Sequence, residues 1–252
     1  MIKGLYAAAS SMLSNTTRQK ILAHNISNLD TPGFKQILAS VGDWEKTSVT
    51  LPMGREPNMT NMAYVGVLGL GVDAVTETDD YTDGAVKATG NELDLAISGQ
   101  GWFGVNTPKG LRYTRDGRFV RDAVGNLVTI DGNAVLNQNG QPIKLPDGKI
   151  VIHSDGVIKV NDQEAGRIGL FGFTEPRKEL VRAEGNLFAA AAAPTVTPSG
   201  SIQQGFLEMA NADAAAIATQ MAVVARTYEM AQKMVQNQDD LLAKTINTLG
   251  RI

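Results

Sequence analysis

The chain contains no cysteine among its 252 residues. This absence excludes disulfides, thiolate metal sites and cysteine nucleophiles. There is also no basic run, and the formal net charge is −3, so we expect no nucleic-acid binding through clustered Lys and Arg. No apolar stretch approaches the roughly 18–20 residues that a membrane-spanning helix requires. We therefore expect no membrane insertion.

Signals for chemistry are equally scarce. The two histidines, His24 and His153, lack the spacing of a zinc or catalytic pair. A Gly-x-Gly-x-x-Gly pattern at residues 99–104 is followed by Val-Asn-Thr-Pro, which cannot open the helix that a dinucleotide site requires. Four Asp residues in Asp-Gly pairs lack the alternating spacing of a calcium loop. We expect a chain that is not an enzyme and that has no metal and no cofactor.

What the sequence does contain is a long helical pattern at its C-terminal end. Residues 211–249 contain no Gly or Pro and are rich in Ala, Met, Gln, Lys and Leu, all of which favour helix. Asn211 is expected to be the N-cap, and Gly250 stands where a helix would stop. Apolar residues follow the 3–4 spacing of a coiled-coil seam. The predicted interface row contains Ile217, Met221, Val224, Tyr228, Val235, Leu242 and Leu249.

The N-terminal end has a matching pattern, without Gly or Pro from Leu5 until Pro32. Its predicted interface row contains Ile2, Leu5, Ala9, Met12, Ala23 and Ile26. Two long helices at opposite ends of one chain are predicted to pair. Because Ala, Thr and Gln occupy many seam positions and a buried methylene is worth about 0.8 kcal/mol, the pair alone should be marginal. We expect both helices to be ordered only when neighbouring copies cover them.

The first residues could be mistaken for a secretory signal with an A-x-A cleavage site. The apolar core is too short and is interrupted by Ser10 and Ser11, while the helical pattern continues in phase to Ile26. We therefore expect that export, if it occurs, does not remove this segment.

Between the helices, short β-prone runs alternate with Asn-Gly and Asp-Gly pairs, which suit tight hairpin turns. The fold class is therefore α+β, with paired, coiled-coil-like terminal helices and a central antiparallel β domain inserted between them. The expected divisions are residues 1–35 with 206–252 for the helices, 36–92 for an extended connector with some β structure, and 93–205 for the β domain.

Four stretches resemble the bacterial flagellar rod and hook proteins. They are Ala-His-Asn-Ile-Ser-Asn with Thr-Pro-Gly-Phe-Lys (residues 23–35), Ile-Ser-Gly-Gln-Gly-Trp-Phe with Tyr-Thr-Arg-Asp-Gly (97–117), Ser-Asp-Gly-Val-Ile with Gly-Asn-Leu-Phe (154–188), and Gly-Phe-Leu-Glu-Met-Ala-Asn-Ala-Asp with Arg-Thr-Tyr-Glu (205–229). The residues that carry the motifs are Asn25, Asn28, Thr31, Gly33, Phe34, Gly99, Gly101, Asp116, Gly117, Asn211, Tyr228 and Glu229.

This resemblance implies a structural subunit of the basal-body rod, the shaft that passes torque from motor to hook. It implies assembly with copies of itself and other rod proteins, in a rod that spans the periplasm, after passage through the flagellar type III export apparatus. Residues 140–148 and 227–233 are most similar to proximal-rod members, whereas the long connector is equally similar to distal-rod members. Three alternatives stay open: a distal-rod or hook-type subunit, a secreted carbohydrate-binding β protein, and a cap or chaperone-like export partner.

Overall fold

The computed structural model describes residues 2–43, 46–52, 62–69, 71–191, 193–194 and 198–249. The chain divides into two compact units. Unit 1 consists of Met1–His24, Leu38–Thr78 and Ala215–Ile252, and unit 2 consists of Asn25–Ile37 and Asp79–Ala214. Part of the stretch expected to be an extended connector, residues 38–78, thus groups with the two terminal helices.

The elements follow in chain order: α1 Ile2–Ser27, β1 Ile37–Asp43, β2 Lys46–Pro52, β3 Met62–Gly69, β4 Val72–Asp79, β5 Val86–Ala88, β6 Leu95–Ser98, β7 Trp102–Thr107, β8 Gly110–Thr114, β9 Phe119–Arg121, β10 Leu127–Thr129, β11 Ala134–Val135, β12 Ile150–Ile152, β13 Val157–Val160, β14 Gln163–Arg167, β15 Leu170–Phe171, α2 Pro176–Glu179, β16 Leu180–Arg182, β17 Phe188–Ala190, β18 Ser201–Gln204, β19 Phe206–Glu208 and α3 Ala214–Leu249. The α+β class with helices at both ends and antiparallel strands between them is confirmed.

Unit 1 contains the two long helices, with 26 residues in α1 and 36 in α3. A Cβ atom added to Gly4 of α1 would lie 3.0 Å from Nε2 of Gln238 in α3, so the helices approach each other there. The Ser10 hydroxyl of α1 accepts a hydrogen bond from the backbone N–H of Val72 at 3.1 Å. Strand β1 pairs with β4, and β2 pairs with β3 in antiparallel register from Lys46↔Gly69 to Pro52↔Met62.

The beginning of α3 differs from the prediction. The helix begins at Ala214, so Asn211 is not its N-cap. The Asn211 side-chain amide instead accepts a hydrogen bond from Gln36 N at 2.7 Å and donates to Asp80 O at 2.8 Å. The oxygen and the nitrogen of this amide both form hydrogen bonds with distant backbone groups, so the side chain is not available to cap the helix.

Unit 2 is built on an eight-stranded antiparallel sheet. Its strand order is β16-β17-β8-β7-β11-β10-β9, and β15 also pairs with β7. Smaller groups are β12-β13-β14, β18-β6 and β19-β5. The last two pairings join the strands just before α3 to strands β6 and β5, so the end of the β region returns to its beginning.

Two apolar clusters fill unit 2. The larger one gathers aliphatic side chains from most strands around the pair Phe103 and Phe119, whose ring centroids are 5.0 Å apart. The second is aromatic and contains Trp102, Tyr113 and Phe188, with Tyr81 packed against it. Burial of alternate residues in strands such as β12 and β13 supplies the larger cluster.

The turn prediction is confirmed for most Asn-Gly and Asp-Gly pairs. Gly132, Gly140 and Gly156, for example, have φ values of 82°, 74° and 87°, which glycine adopts without strain. Gly117 is an exception, since its φ is not positive. A Cβ atom at Gly117 would lie 1.6 Å from Leu95 O, so the residue is needed for close backbone approach instead.

Candidate functional site

The most distinctive site in unit 2 is a group of buried charges, here named the buried ion cluster and consisting of Lys35, Asp83, Arg115 and Glu208. Lys35, Arg115 and Glu208 are at most 4% exposed. Glu208 bridges the two cations: Lys35 Nζ lies 2.7 Å from its Oε1, and Arg115 Nη1 lies 3.0 Å from its Oε2. A carboxylate with both oxygens on buried cations is held far more firmly than one in a surface ion pair.

Two backbone groups also form hydrogen bonds with the cluster. Lys35 Nζ donates to Thr82 O at 2.6 Å, and Gly84 N donates to Glu208 Oε1 at 3.0 Å. The cluster therefore also fixes the backbone of residues 82–84. Buried charges are tolerated when such additional bonds replace the lost water.

The cluster contains equal numbers of positive and negative charges. Arg115 Nη1 lies 3.3 Å from Asp83 Oδ1. The same guanidinium also donates from Nη2 to the backbone oxygen of Gly99 at 2.8 Å. Asp83, which is 53% exposed, also lies 3.9 Å from Lys35 Nζ, so two cations face two carboxylates. Burial lowers the pKa of Lys35, while the neighbouring Glu208 carboxylate opposes that shift.

The turn formed by the Thr-Pro-Gly-Phe-Lys motif places Lys35 in the buried ion cluster. Gly33 has a φ of 68°, and a Cβ atom there would lie 2.3 Å from the backbone carbon of Arg115. Gly33 N donates to Glu208 O at 2.7 Å. Glycine is therefore required at this turn both by its conformation and by the approach of another backbone.

A second ion pair lies beside the motif. Arg182 Nε donates to Asp79 Oδ1 at 2.8 Å, and Arg182 Nη2 also donates to the backbone oxygen of Lys35. The Arg182 guanidinium carbon lies 5.0 Å from the ring centroids of both Phe34 and Phe188. A planar cation between two aromatic faces adds attraction to the ion pair.

The motif asparagines tie the same region together. Asn25 exchanges two hydrogen bonds with Ile37, at 2.8 and 2.9 Å, and so closes the segment that follows α1. Asn28 accepts from the Thr31 hydroxyl at 3.2 Å. With the Asn211 contacts, the segment after α1 and the segment before α3 are bound to each other within unit 2.

The remaining motif residues have separate positions. Asp116 holds Arg118 through two side-chain bonds of 3.0 and 2.7 Å. Gly99 and Gly101 have φ values of 92° and 151° in the turn before β7. Glu229 is exposed on α3. Thus Gly33 and Asn211 adjoin the buried ion cluster, whereas Asp116, Gly101 and Glu229 do not contribute to it.

The predicted interface residues of α3 lie on one stripe. Ile217 and Val224 are buried, while Met221, Tyr228, Val235 and Leu242 are half-buried. In α1, Leu5 and Met12 are half-buried, whereas Ala9, Ala23 and Ile26 are exposed. The side chains of Ile2 and Leu249 lie outside the described residues. The role of these residues in contacts between copies stays a prediction.

Sequence reasoning did not identify the buried ion cluster as a site. Lys35 was part of a motif, but nothing linked it to Arg115 or Glu208. One usable signal existed: Glu208 lies between Leu207 and Met209 in a short apolar run, where an unpaired carboxylate would be costly.

Among the described residues, no group of three or more His, Cys, Asp or Glu side chains could hold a metal ion. None of the described helices combines the length and the apolar character needed to cross a membrane.

Three family models match the chain in succession. "Flagella basal body rod protein" matches residues 5–35, "Flagellar hook protein FlgE/F/G D1 domain" matches 96–160, and "Flagellar basal body rod FlgEFG protein C-terminal" matches 203–249. The first and last matches cover the segments that meet at the buried ion cluster.

Full-length relatives are also similar. The chain is 33% identical to the flagellar basal-body rod protein FlgG of Bacillus subtilis, over 98% of this chain and 99% of the relative. It is 32% identical to the rod protein FlgF of Rhizobium meliloti, over 99% of each chain. It is also 32% identical to FlgF of Caulobacter vibrioides, over the whole of both chains.

Proposed function

Because this chain belongs to the flagellar basal-body rod protein family and is a structural subunit of the rod, we propose that it polymerises by packing its terminal helices against those of neighbouring subunits. The length and the exposure of α3 support this proposal. Its 36 residues extend about 54 Å at 1.5 Å per residue. Of its described side chains, only Ile217, Val224 and Ala231 are buried. A helix so long and so little covered is suited to contacts between molecules.

We propose further that the buried ion cluster transmits load. Lys35 lies eight residues beyond the end of α1, and Glu208 lies six residues before the start of α3. A torque applied to either segment therefore acts on the same group of charges in unit 2. Partners in this proposal are other copies, other rod proteins and the flagellar export apparatus. We propose no catalytic role.

Export without cleavage is part of the same proposal. The Ala-rich stretch that could be mistaken for a cleavage site lies inside the continuous helix α1. Cleavage there would remove the first turns of a helix that assembly requires. N-terminal sequencing of the chain from purified basal bodies should begin at Met1 or Ile2, and a start after residue 9 would contradict uncleaved export.

The assembly proposal is tested with Leu242→Ala, which shortens a half-buried side chain of α3. Core truncations of this kind cost about 2–5 kcal/mol, and a half-buried site belongs at the lower end. We expect fewer rods in a strain that expresses only this variant, while the fluorescence of unit 2 in the purified protein is unchanged. Motility and rod length equal to wild type would contradict assembly through this helix.

A further inference from the structure

Unit 2 contains a half-open cavity of about 290 Å³ beside the buried ion cluster. Its walls come from residues 81–83, 99–102 and 173–176, together with Arg115. Residues of two sequence motifs, 97–103 and 113–117, therefore meet at this cavity. The assembly function proposed above gives the cavity no role.

The guanidinium of Arg115 has one nitrogen without a hydrogen-bond acceptor among the described residues. Nη1 contacts Glu208 and Asp83, and Nη2 donates to Gly99 O, but the buried Nε has no such partner. Burying a donor without an acceptor is unfavourable. A carbonyl oxygen that entered the cavity and reached Nε would remove this cost.

Asp83 contributes a hydrogen-bond acceptor to the wall of the same cavity. Its Oδ1 lies 3.3 Å from Arg115 Nη1, and its side chain is 53% exposed, so its second oxygen can accept a bond from a ligand. Because Nε and Nη1 belong to one guanidinium, a single ligand group can reach both the Nε donor and the Asp83 acceptor. That group must accept one hydrogen bond and donate another.

The charges of this wall favour an uncharged ligand group. An anion would meet the carboxylate of Asp83, and a cation would meet the guanidinium of Arg115. A primary carboxamide carries no charge and has both a carbonyl acceptor and an NH₂ donor. Because the cavity is half-open, it suits the end of a side chain better than a backbone segment, which must enter and leave.

The aromatic part of the wall suits the methylene groups of such a side chain. Trp102 and Phe173 are buried, Tyr81 is half-buried, and all three residues line the cavity. Apolar carbon gains stability when it is buried against such surfaces. A free amino acid would also bring an ammonium and a carboxylate, whereas Arg115 and Asp83 are the charged residues of the described wall. An amide side chain within a polypeptide lacks these two charges.

We propose that this cavity binds the side-chain amide of an asparagine or glutamine from another protein. The carbonyl oxygen of the amide accepts a hydrogen bond from Arg115 Nε, and its NH₂ group donates to Asp83. The cavity thereby gives unit 2 a docking contact of its own, which does not depend on how the terminal helices assemble.

Binding is measured through Trp102 fluorescence in the full chain. Trp102 lines the cavity, and Trp44→Phe removes the other tryptophan. The probe is N-acetyl-glutamine N-methylamide, a glutamine side chain without terminal charges. The matched probe is N-acetyl-glutamate N-methylamide, which differs only in the end group of the side chain.

We expect a saturable fluorescence change with the glutamine probe, with a dissociation constant on the order of millimolar. The glutamate probe should bind at least about tenfold more weakly, because its carboxylate faces Asp83 and has no N–H to donate. Equal affinities, or no saturable change with the glutamine probe, would overturn the proposal. Free L-glutamine should bind more weakly than the blocked probe, and tighter binding would overturn the assignment to a protein side chain.

Asp83→Asn tests the origin of the specificity. The new amide can donate to a carboxylate and no longer repels it, so D83N should lower the preference for the glutamine probe by about tenfold. The matched control is Asp155→Asn, which alters a carboxylate that is 57% exposed, pairs with Arg167 and lies outside the cavity wall.

D155N should keep the wild-type preference, and an equal preference in D83N and D155N would overturn the role of Asp83. Urea midpoints of both variants show whether each has folded. If D83N does not fold, the comparison of the two probes on the unaltered cavity still decides the proposal.

Discussion

Replacing Glu208 by glutamine keeps the shape of the side chain and removes one buried negative charge. Lys35 and Arg115 would then face only Asp83, which is 53% exposed. Breaking a buried ion pair by removing one partner costs about 3–5 kcal/mol, because the remaining charge is uncompensated. A domain has only about 5–15 kcal/mol of total stability, so E208Q should remove a large part of the stability of unit 2.

The unfolding of unit 2 can be followed through Trp102. This side chain is buried, and its ring centroid lies 5.3 Å from the guanidinium carbon of Arg115. Trp44→Phe removes the other tryptophan, which lies outside the described residues. In urea, where m is about 1–3 kcal/mol per M, E208Q should lower the midpoint by on the order of 2 M.

Two further variants test whether the buried ion cluster stabilises unit 2. Glu184→Gln removes a carboxylate that is exposed and pairs with Lys109 at the surface, and its midpoint should equal that of wild type. K35M/E208Q should be more stable than E208Q, because the unpaired buried cation is gone as well. If E208Q and E184Q have the same midpoint, the buried ion cluster does not stabilise unit 2.

Three other outcomes follow from the structure. Gly33→Ala should destabilise unit 2 by more than about 2 kcal/mol, through both φ strain and the clash with Arg115, whereas Gly185→Ala, with a φ of 62° and free space, should cost only about 1 kcal/mol; equal urea midpoints for the two variants would exclude the clash. Burial raises the pKa of Tyr81 and of Tyr113, so the folded state keeps protons that the unfolded state loses above about pH 10, and stability should fall as pH rises beyond that value; this loss should be smaller in Tyr81→Phe, and an identical alkaline profile would count against the shift. In limited proteolysis of the monomer, we expect cleavage in residues 1–24 and 215–249 before unit 2 is cut, with residues 25–37 retained on it by the buried ion cluster; mass spectrometry that finds intact termini beside a degraded unit 2 would reverse this order.

The strands of unit 2 could be predicted because their signals are local. Asn-Gly and Asp-Gly pairs at short intervals set the hairpins, and β-prone runs such as residues 127–130 and 157–160 became β10 and β13. Residues 36–92, where some β structure is expected, include β4 and β5. The long helices could be predicted for the same reason, since propensity and 3–4 spacing act over neighbouring residues.

The buried ion cluster could not be predicted in this way. Lys35 and Glu208 are 173 residues apart, and Arg115 and Glu208 are 93 apart. No periodicity links side chains at such distances. Lys35 and Arg115 alone resemble ordinary surface residues, and only Glu208, in its short apolar run, carries a local signal. The N-cap prediction for Asn211 was wrong for the same reason, because its amide is satisfied by Gln36 and Asp80. Capping rules consider only residues close in sequence, so they do not account for distant backbone groups that bind the same side chain.

The separation of Lys35 from Glu208 also determines when unit 2 can reach its native state. Lys35 and Glu208 are separated by 173 residues, so a long loop must close before their ion pair can form. Loop closure costs entropy before the long-range contact contributes any stability, so this step of folding is slow. Residues 1–205 contain every strand of the eight-stranded sheet, yet Lys35 and Arg115 would lack their shared partner. We expect a fragment of residues 1–205 to remain unfolded by circular dichroism and Trp102 fluorescence, and a fragment of residues 1–213 to fold. Unit 2 then folds only when β19, which contains Glu208, is present. A chain that is still being synthesised or exported would remain unfolded in unit 2 until β19 is available.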